Sequence, residues 1–195
     1  MVKENNKICK YFDIPLQHFS DKVLKNMNRK SSSKSIESLI EKIREEIPGV
    51  VLRTTFMVGF PTETEEDFFE LYEFVHRAKF EKLGVFKYSK EEGTPAFKMA
   101  YQVHSKTKQS RLDKIMRLQH QISKIKLEEK IEETYEVVID NITEDGKYVI
   151  ARSYMEVPDE DGVIFIKNNN KYKIGEFAKC KIIDVKEYDL IAEWP

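Results

Sequence analysis

Val50-Val51-Leu52-Arg53-Thr54-Thr55-Phe56-Met57-Val58-Gly59-Phe60-Pro61-Thr62-Glu63-Thr64 is the stretch on which the fold turns. Residues 50–58 are apolar and β-branched almost without interruption, the pattern of a strand covered on both faces. Gly59-Phe60-Pro61 breaks it. Thr62 and Thr64 each stand three residues ahead of an acid, Glu65 and Asp67, so either can open a helix through a capping box. That helix is expected to run to about residue 78, with Phe68, Leu71, Tyr72 and Val75 inward. A covered strand that leads straight into a helix is the repeating unit of parallel α/β sheets.

Upstream, residues 8–16 read as a short strand. Ser20 is a plausible cap for a helix over 21–28, and Ser35 for one over 36–47, which Pro48-Gly49 ends. Downstream, residues 83–88 form another strand and 91–95 a loop. Three strands are too few to close a barrel. A long helix is expected over 106–133, with an imperfect stripe of Leu112, Ile115, Met116, Gln119, Ile122 and Ile125. After it the apolar period falls to two, over 135–139, 148–154, 163–166, 178–185 and 190–194. Five short strands in so few residues predict a small β-barrel of the oligonucleotide-binding type. The expected fold is therefore α/β, with two domains. An incomplete, TIM-like barrel and its linking helix occupy residues 1–133, and a five-stranded all-β barrel occupies 134–195.

Composition narrows the setting. Charged residues make up 34% and hydrophobic residues 41% of the 195, a balance suited to a soluble, globular protein. No apolar run is long enough to cross a bilayer, and the polar start lacks a secretory signal, so a cytoplasmic location is expected. Cys9 and Cys180 are far apart in sequence and read as free thiols. His18 near Cys9 makes no metal signature. Net charge is −1, but it is uneven. Residues 1–133 carry 25 Lys+Arg against 21 Asp+Glu, while residues 134–195 carry 8 against 13, a net −5.

Several stretches together resemble one family. Cys9-Lys10-Tyr11-Phe12-Asp13-Ile14-Pro15-Leu16-Gln17-His18 is similar to the fourth barrel strand of the radical S-adenosylmethionine (SAM) methylthiotransferases. Residues 53–68 resemble the fifth strand with its turn. Gly84-Val85-Phe86-Lys87-Tyr88-Ser89 through Glu92-Gly93-Thr94-Pro95-Ala96 resembles the sixth strand with its loop. The tail resembles a TRAM domain, so the resemblance implies the carboxyl-terminal portion of a radical SAM barrel followed by that module. Pro15-Leu16-Gln17-His18 and the run Val157-Pro158-Asp159-Glu160-Asp161-Gly162-Val163 are similar to the RimO type, the branch that methylthiolates an aspartate of a small-subunit ribosomal protein. The other branch acts on an adenosine of transfer RNA and stays open as an alternative. So does a non-catalytic module in which the acidic barrel alone matters. An RNA-gripping barrel is basic, because phosphate neutralisation supplies much of that affinity. A barrel at −5 suits a basic ribosomal protein and binds RNA weakly or not at all. No membrane partner is expected, and nothing in the sequence sets an oligomeric state.

The family uses SAM and [4Fe-4S] clusters, one of them on a Cys-x3-Cys-x2-Cys loop, since thiolates hold such clusters. This sequence has no such loop, so the chain alone is expected to be inactive, with no catalytic or metal-binding residue of its own. It retains strand ends, where parallel α/β folds place ligands. The resemblance implies a SAM-facing set of Gln17, Arg53, Gly59, Phe60, Tyr88 and Ser89. Gly59 either lets backbone approach the adenine or simply ends a strand. Arg53, inside an apolar strand, needs a carboxylate, either the methionyl carboxylate of SAM or an internal acid. Gln17 and His18 either reach SAM or face solvent. Lys90 stands where the family usually has arginine, and supplies charge without a planar fork. Lys22, Lys25, Arg29 and Lys30 either touch ribosomal RNA or form a solvated helix face.

Overall fold

In the computed structural model, residues 2–5 and 7–195 are described. Strand β1 (Tyr11–Gln17) leads into helix α1 (Asp21–Asn26), where the Ser20 hydroxyl accepts from the Val23 N–H. Helix α2 (Ser33–Glu46) starts earlier than expected. Its cap is Ser32, and Ser35 sits at the third helical position. Each of the two serines accepts the other's backbone N–H, so two otherwise orphaned donors are satisfied where a Ser35 cap would satisfy one. Strand β2 (Val51–Val58) and helix α3 (Glu65–Ala78) follow. Of the two possible capping boxes the chain uses Thr64 with Asp67, and Thr62 takes a left-handed turn at φ 75°. Strand β3 (Lys82–Lys87) then pairs in parallel with β2, from Arg53 opposite Lys82 to Val58 opposite Lys87. The sheet order is β1-β2-β3.

β2 is not covered on both faces. Leu52, Thr54, Phe56 and Val58 are buried, whereas Arg53, Thr55 and Met57 are half-exposed. The covered side packs on Leu24, Ile36, Ile40, Phe68, Leu71, Phe74 and Val75 of the helices. In a closed α/β barrel the other side is filled by facing strands, and three strands leave it open. Phe86, 62% exposed, lies on that same side, opposite Met57.

Helix α4 (Ser105–Glu128) ends five residues short of the expected limit. Two turns follow, Glu132 adopts φ 74°, and the Glu132 N–H is captured by the Ile182 carbonyl. The backbone has thereby joined the barrel before the helix can extend. The buried stripe also differs from the expected one: Ile115, Leu118 and Ile122 are buried, and Ile125 is exposed. Gln119 is inward and donates to the Phe80 carbonyl at 2.9 Å.

Strands β4 (Thr134–Ile142), β5 (Tyr148–Arg152), β6 (Ile164–Lys167), β7 (Phe177–Lys186) and β8 (Asp189–Glu193) close a barrel in the order β4-β5-β6-β8-β7. Its interior is every second residue: Val137, Ile139, Val149, Ala151, Ile164, Ile166, Cys180, Ile182, Leu190 and Ala192. Register shifts between Ile139 and Asn141 and between Ile182 and Asp184 bend the two longest strands, as bulges do at barrel corners. Phe12–Ile122 forms one compact unit, and Met1–Tyr11 with Ser123–Pro195 forms the other. No helix among the described residues is long and apolar enough to cross a membrane.

Candidate functional site at the strand ends

The carboxyl ends of β1, β2 and β3 are built from short-range hydrogen bonds around one carboxylate. β1 ends at Gln17, whose φ of 71° is left-handed and uncommon for a residue with a Cβ. His18 follows and is fully buried. Its Nδ1 accepts the Ser20 N–H at 3.0 Å, so the ring proton sits on Nε2. Nε2 faces Oε2 of Glu63 at 3.6 Å. His18 therefore neither faces solvent nor stands at the mouth. It lies beneath it.

β2 ends at Gly59, with φ 75°. The N–H groups of Gly59 and Phe60 both donate to Glu63 Oε2, at 2.6 and 3.2 Å. Glu63 Oε1 receives Arg111 Nη1 at 2.7 Å, and both side chains are almost wholly buried. Arg111 also reaches Glu65, at 3.0 Å. A side chain at position 59 would collide with α4, because an ideal Cβ there lies 2.3 Å from Lys108 Cγ. Lys108 itself donates to the Tyr88 carbonyl at 2.9 Å and stands 4.8 Å above the Tyr88 ring. Burial holds the Lys108 pKa below the usual lysine value, against the opposing pull of Glu63.

Tyr88, just past β3, is buried edge-on against Phe60, with ring centroids 5.3 Å apart. The two pack with Val23, and Met27, Met57, Ala96 and Met99 surround them. The Tyr88 hydroxyl is buried without a hydrogen-bond partner. Ser89 is exposed and donates to Glu91 at 2.8 Å. Lys90 lies 4.5 Å over the Phe97 ring.

The structure thus brings Gln17, Gly59, Phe60, Tyr88 and Ser89 to one end of the sheet. Arg53 is elsewhere. It lies five residues before the end of β2, roughly 17 Å along a strand, on the open face. Its carboxylate is the internal one, Asp13, at 3.6 Å. Lys22 of the basic cluster is also engaged, at 2.7 Å from Asp67. Burial works against ionisation of Asp67, but hydrogen bonds from Lys22, the Thr64 N–H, Ser20 and the Thr64 hydroxyl outweigh it and hold the pKa well below the usual carboxylate range.

Sequence reasoning missed Glu63, Lys108 and Arg111. One signal was present for Arg111: it is in helical register with Ile115, Leu118 and Ile122, so it extends the buried stripe. Glu63 stands in the turn between β2 and α3, where no linear pattern marks its partners. Among the described residues no group of three or more His, Cys, Asp or Glu side chains is placed to hold a metal ion. Cys9 is exposed. Cys180 is buried in the barrel, and that burial pushes its thiol up to about 11.

A model of the radical SAM superfamily matches residues 1–75, and one of the TRAM domain matches residues 131–194. Coproporphyrinogen III oxidase (HemN) from Escherichia coli, a radical SAM enzyme, shares the fold. Its TM-score is 0.50 at 16% identity, over 74% of this chain and 39% of that one. The chain is thus similar to the class of radical SAM proteins over its first part and to TRAM domains over its last. Within that class it is similar to ribosomal protein uS12 methylthiotransferases RimO. It is 58% identical over 194 residues to that of Alkaliphilus oremlandii, covering 99% of this chain and 44% of the relative. It is 50% identical over 190 residues to that of Clostridium novyi, covering 97% and 42%. For that of Acetivibrio thermocellus the identity is 44% over 192 residues, covering 98% and 42%. The chain therefore spans less than half the length of these relatives.

Proposed function

We propose that this chain supplies part of the SAM-facing strand ends and the partner-binding TRAM barrel of an enzyme that methylthiolates an aspartate of ribosomal protein uS12. The observation that carries this reading is the identity of 58%, which runs through both the strand-end site and the barrel. The strand ends fit SAM. Phe60 and Tyr88 form a buried aromatic pair at the strand ends, and the partly buried Met27, Met57 and Met99 around it are adaptable apolar walls for a purine. The unpartnered Tyr88 hydroxyl awaits one polar atom. Gly59, Phe60 and Tyr88 would hold the adenine, with Gln17 and Ser89 toward the ribose and methionyl parts. Arg53, roughly 17 Å down the strand and paired with Asp13, falls outside this set. SAM, when bound in such enzymes, is the source of both the radical and the methyl group.

The residues present do not fit a [4Fe-4S] cluster. Such a cluster takes several thiolates, and this chain has two cysteines, one exposed and one inside the barrel. The chain alone is proposed to be catalytically inert. The barrel's role is recognition. At −5 it attracts a basic protein and repels a polyanion.

The test is a titration of the chain against purified uS12 protein and against transfer RNA at two salt concentrations. Binding to uS12 should weaken as salt rises past the point where the Debye length is about 8 Å. Asp159→Asn with Glu160→Gln, both exposed, should slow association more than it speeds dissociation. Asp161 stays untouched, because it accepts the Tyr11 hydroxyl at 2.9 Å and the Val157 N–H at 3.0 Å. Tight binding to transfer RNA with indifference to uS12 overturns the assignment and favours the RNA-modifying branch.

A further inference from the structure

We infer that Glu63, Lys108 and Arg111 form a clamp that sets the two turns beneath the proposed SAM site, and that they are positioning residues for SAM which never touch it. The inference rests on the SAM reading of the strand ends. Its starting point is that a buried ion pair is a poor device for stability, since apolar side chains of similar volume often do as well. Arg111 and Glu63 are nonetheless both buried and 2.7 Å apart. What they provide is direction. One Glu63 oxygen takes two consecutive N–H groups, from Gly59 and Phe60. No apolar substitute accepts either donor, and an unpaired buried N–H is rare. The other oxygen is held by Arg111, so the carboxylate cannot rotate away from the turn.

Lys108 stands three residues before Arg111, on the same face of α4. Its carbon stem fills the space that a side chain at Gly59 would need, and its ammonium holds the Tyr88 carbonyl. The turn after β2 and the residue after β3 are thereby fixed from one helix, by two cations one turn apart. His18, fully buried with Nε2 toward the same carboxylate, links the end of β1 to the assembly. The N–H groups of the Gly59–Phe60 turn are spent inward on Glu63, so the clamp sets where the turn stands and leaves neither donor for a ligand.

The experiment uses the full chain and SAM itself, followed by amide shifts in two-dimensional NMR at millimolar ligand, with amide exchange measured on the same samples. The variants are Glu63→Gln, Arg111→Met, Arg111→Lys and the double Glu63→Gln/Arg111→Met. Glu65→Gln, which removes the exposed partner of Arg111, is the control. Exchange at the Gly59 and Phe60 amides should rise at least tenfold in Glu63→Gln. SAM affinity should fall at least fivefold in Glu63→Gln and Arg111→Met and no further in the double, as for residues acting as one unit. Arg111→Lys should recover part of it, and Glu65→Gln should match the wild type. A variant that unfolds is read at lower temperature, where its folded signals return. Faster exchange with SAM affinity unchanged overturns the clamp alone and leaves the site standing. A wild-type chain with no SAM-dependent shifts overturns the clamp together with the reading it rests on.

Discussion

Gly59→Ala tests why position 59 is glycine. Two costs are visible in the structure. The backbone sits at φ 75°, and for a residue with a Cβ that region costs about 1–2 kcal/mol. The new Cβ would also stand 2.3 Å from Lys108 Cγ and 3.2 Å from Lys108 Cβ. Contact so near the root of the side chain cannot be relieved by swinging its far end, so α4 or the turn must move. Overpacking of that kind costs about 1–3 kcal/mol. The sum for Gly59→Ala is about 2–5 kcal/mol. In a Lys108→Ala background the second cost largely disappears and the same substitution should cost about 1–2 kcal/mol. The assay is native-state exchange of the β2 amides in the four proteins of the cycle, with global stability from urea unfolding. A coupling energy of about 1 kcal/mol or more confirms that α4 packing requires the glycine. Equal costs in both backgrounds would refute it, and would return the glycine to a role set by backbone conformation or by a ligand.

Three further outcomes are expected. The chain should purify colourless and stay so after anaerobic iron–sulfur reconstitution; about four irons per chain with a broad visible absorption band would contradict the assignment of its cysteines. Calorimetry with SAM should show no affinity in the low micromolar range, roughly −8 kcal/mol, because three strands and no cluster leave much of the ligand without contacts. Asp67 should make the fold acid-sensitive: its folded pKa is depressed, so its contribution is present above the unfolded pKa of about 4 and is lost as pH falls through the folded value. Asp67→Asn should lower stability at neutral pH and flatten the decline below pH 4 in acid titrations followed by circular dichroism, and an unchanged acid limb would rule that contribution out.

The elements were legible where a single local rule governs them. Residues 51–58 form a strand, and Ser20 and Thr64 cap helices, because apolar period and hydroxyl caps act over a few residues. The barrel strands were legible for the same reason, since a period of two survives any closure. Where two local rules competed, geometry decided. Ser35 and Ser32 both had cap chemistry, and the pair that satisfied two N–H groups won. Helix α4 stopped early because β7 offered the Glu132 N–H a partner, an event 50 residues away in sequence. The site was legible in outline only. Strand ends can be read from the sequence, but the partner of Arg53 is Asp13, 40 residues upstream, and that of Glu63 is Arg111, 48 residues downstream. Nothing in a linear pattern says which acid a buried cation meets.

The same distinction decides how the barrel's charge should be read. Net charge counts all its acids alike, but the structure does not use them alike. Glu156 is buried and takes both the N–H and the hydroxyl of Ser153. Asp161 holds Tyr11 and Val157, and Asp189 accepts the Val163 N–H at 2.9 Å. Asp140 is paired with Arg152 at 2.9 Å. These acids shape loops and strand ends, and neutralising them would change the fold as well as the field. Asp159, Glu160, Asp184 and Glu187 are exposed, and surface charges of that kind act mainly on the rate of encounter. A barrel whose acids divide in this way can attract a basic partner over a distance without spending its fold on the attraction. On the proposed reading, the contacts that would hold such a partner must come from other groups. The exposed aromatics Tyr148, Phe177 and Tyr188 are the first place to look, since aromatic anchors carry a disproportionate share of binding energy at protein interfaces.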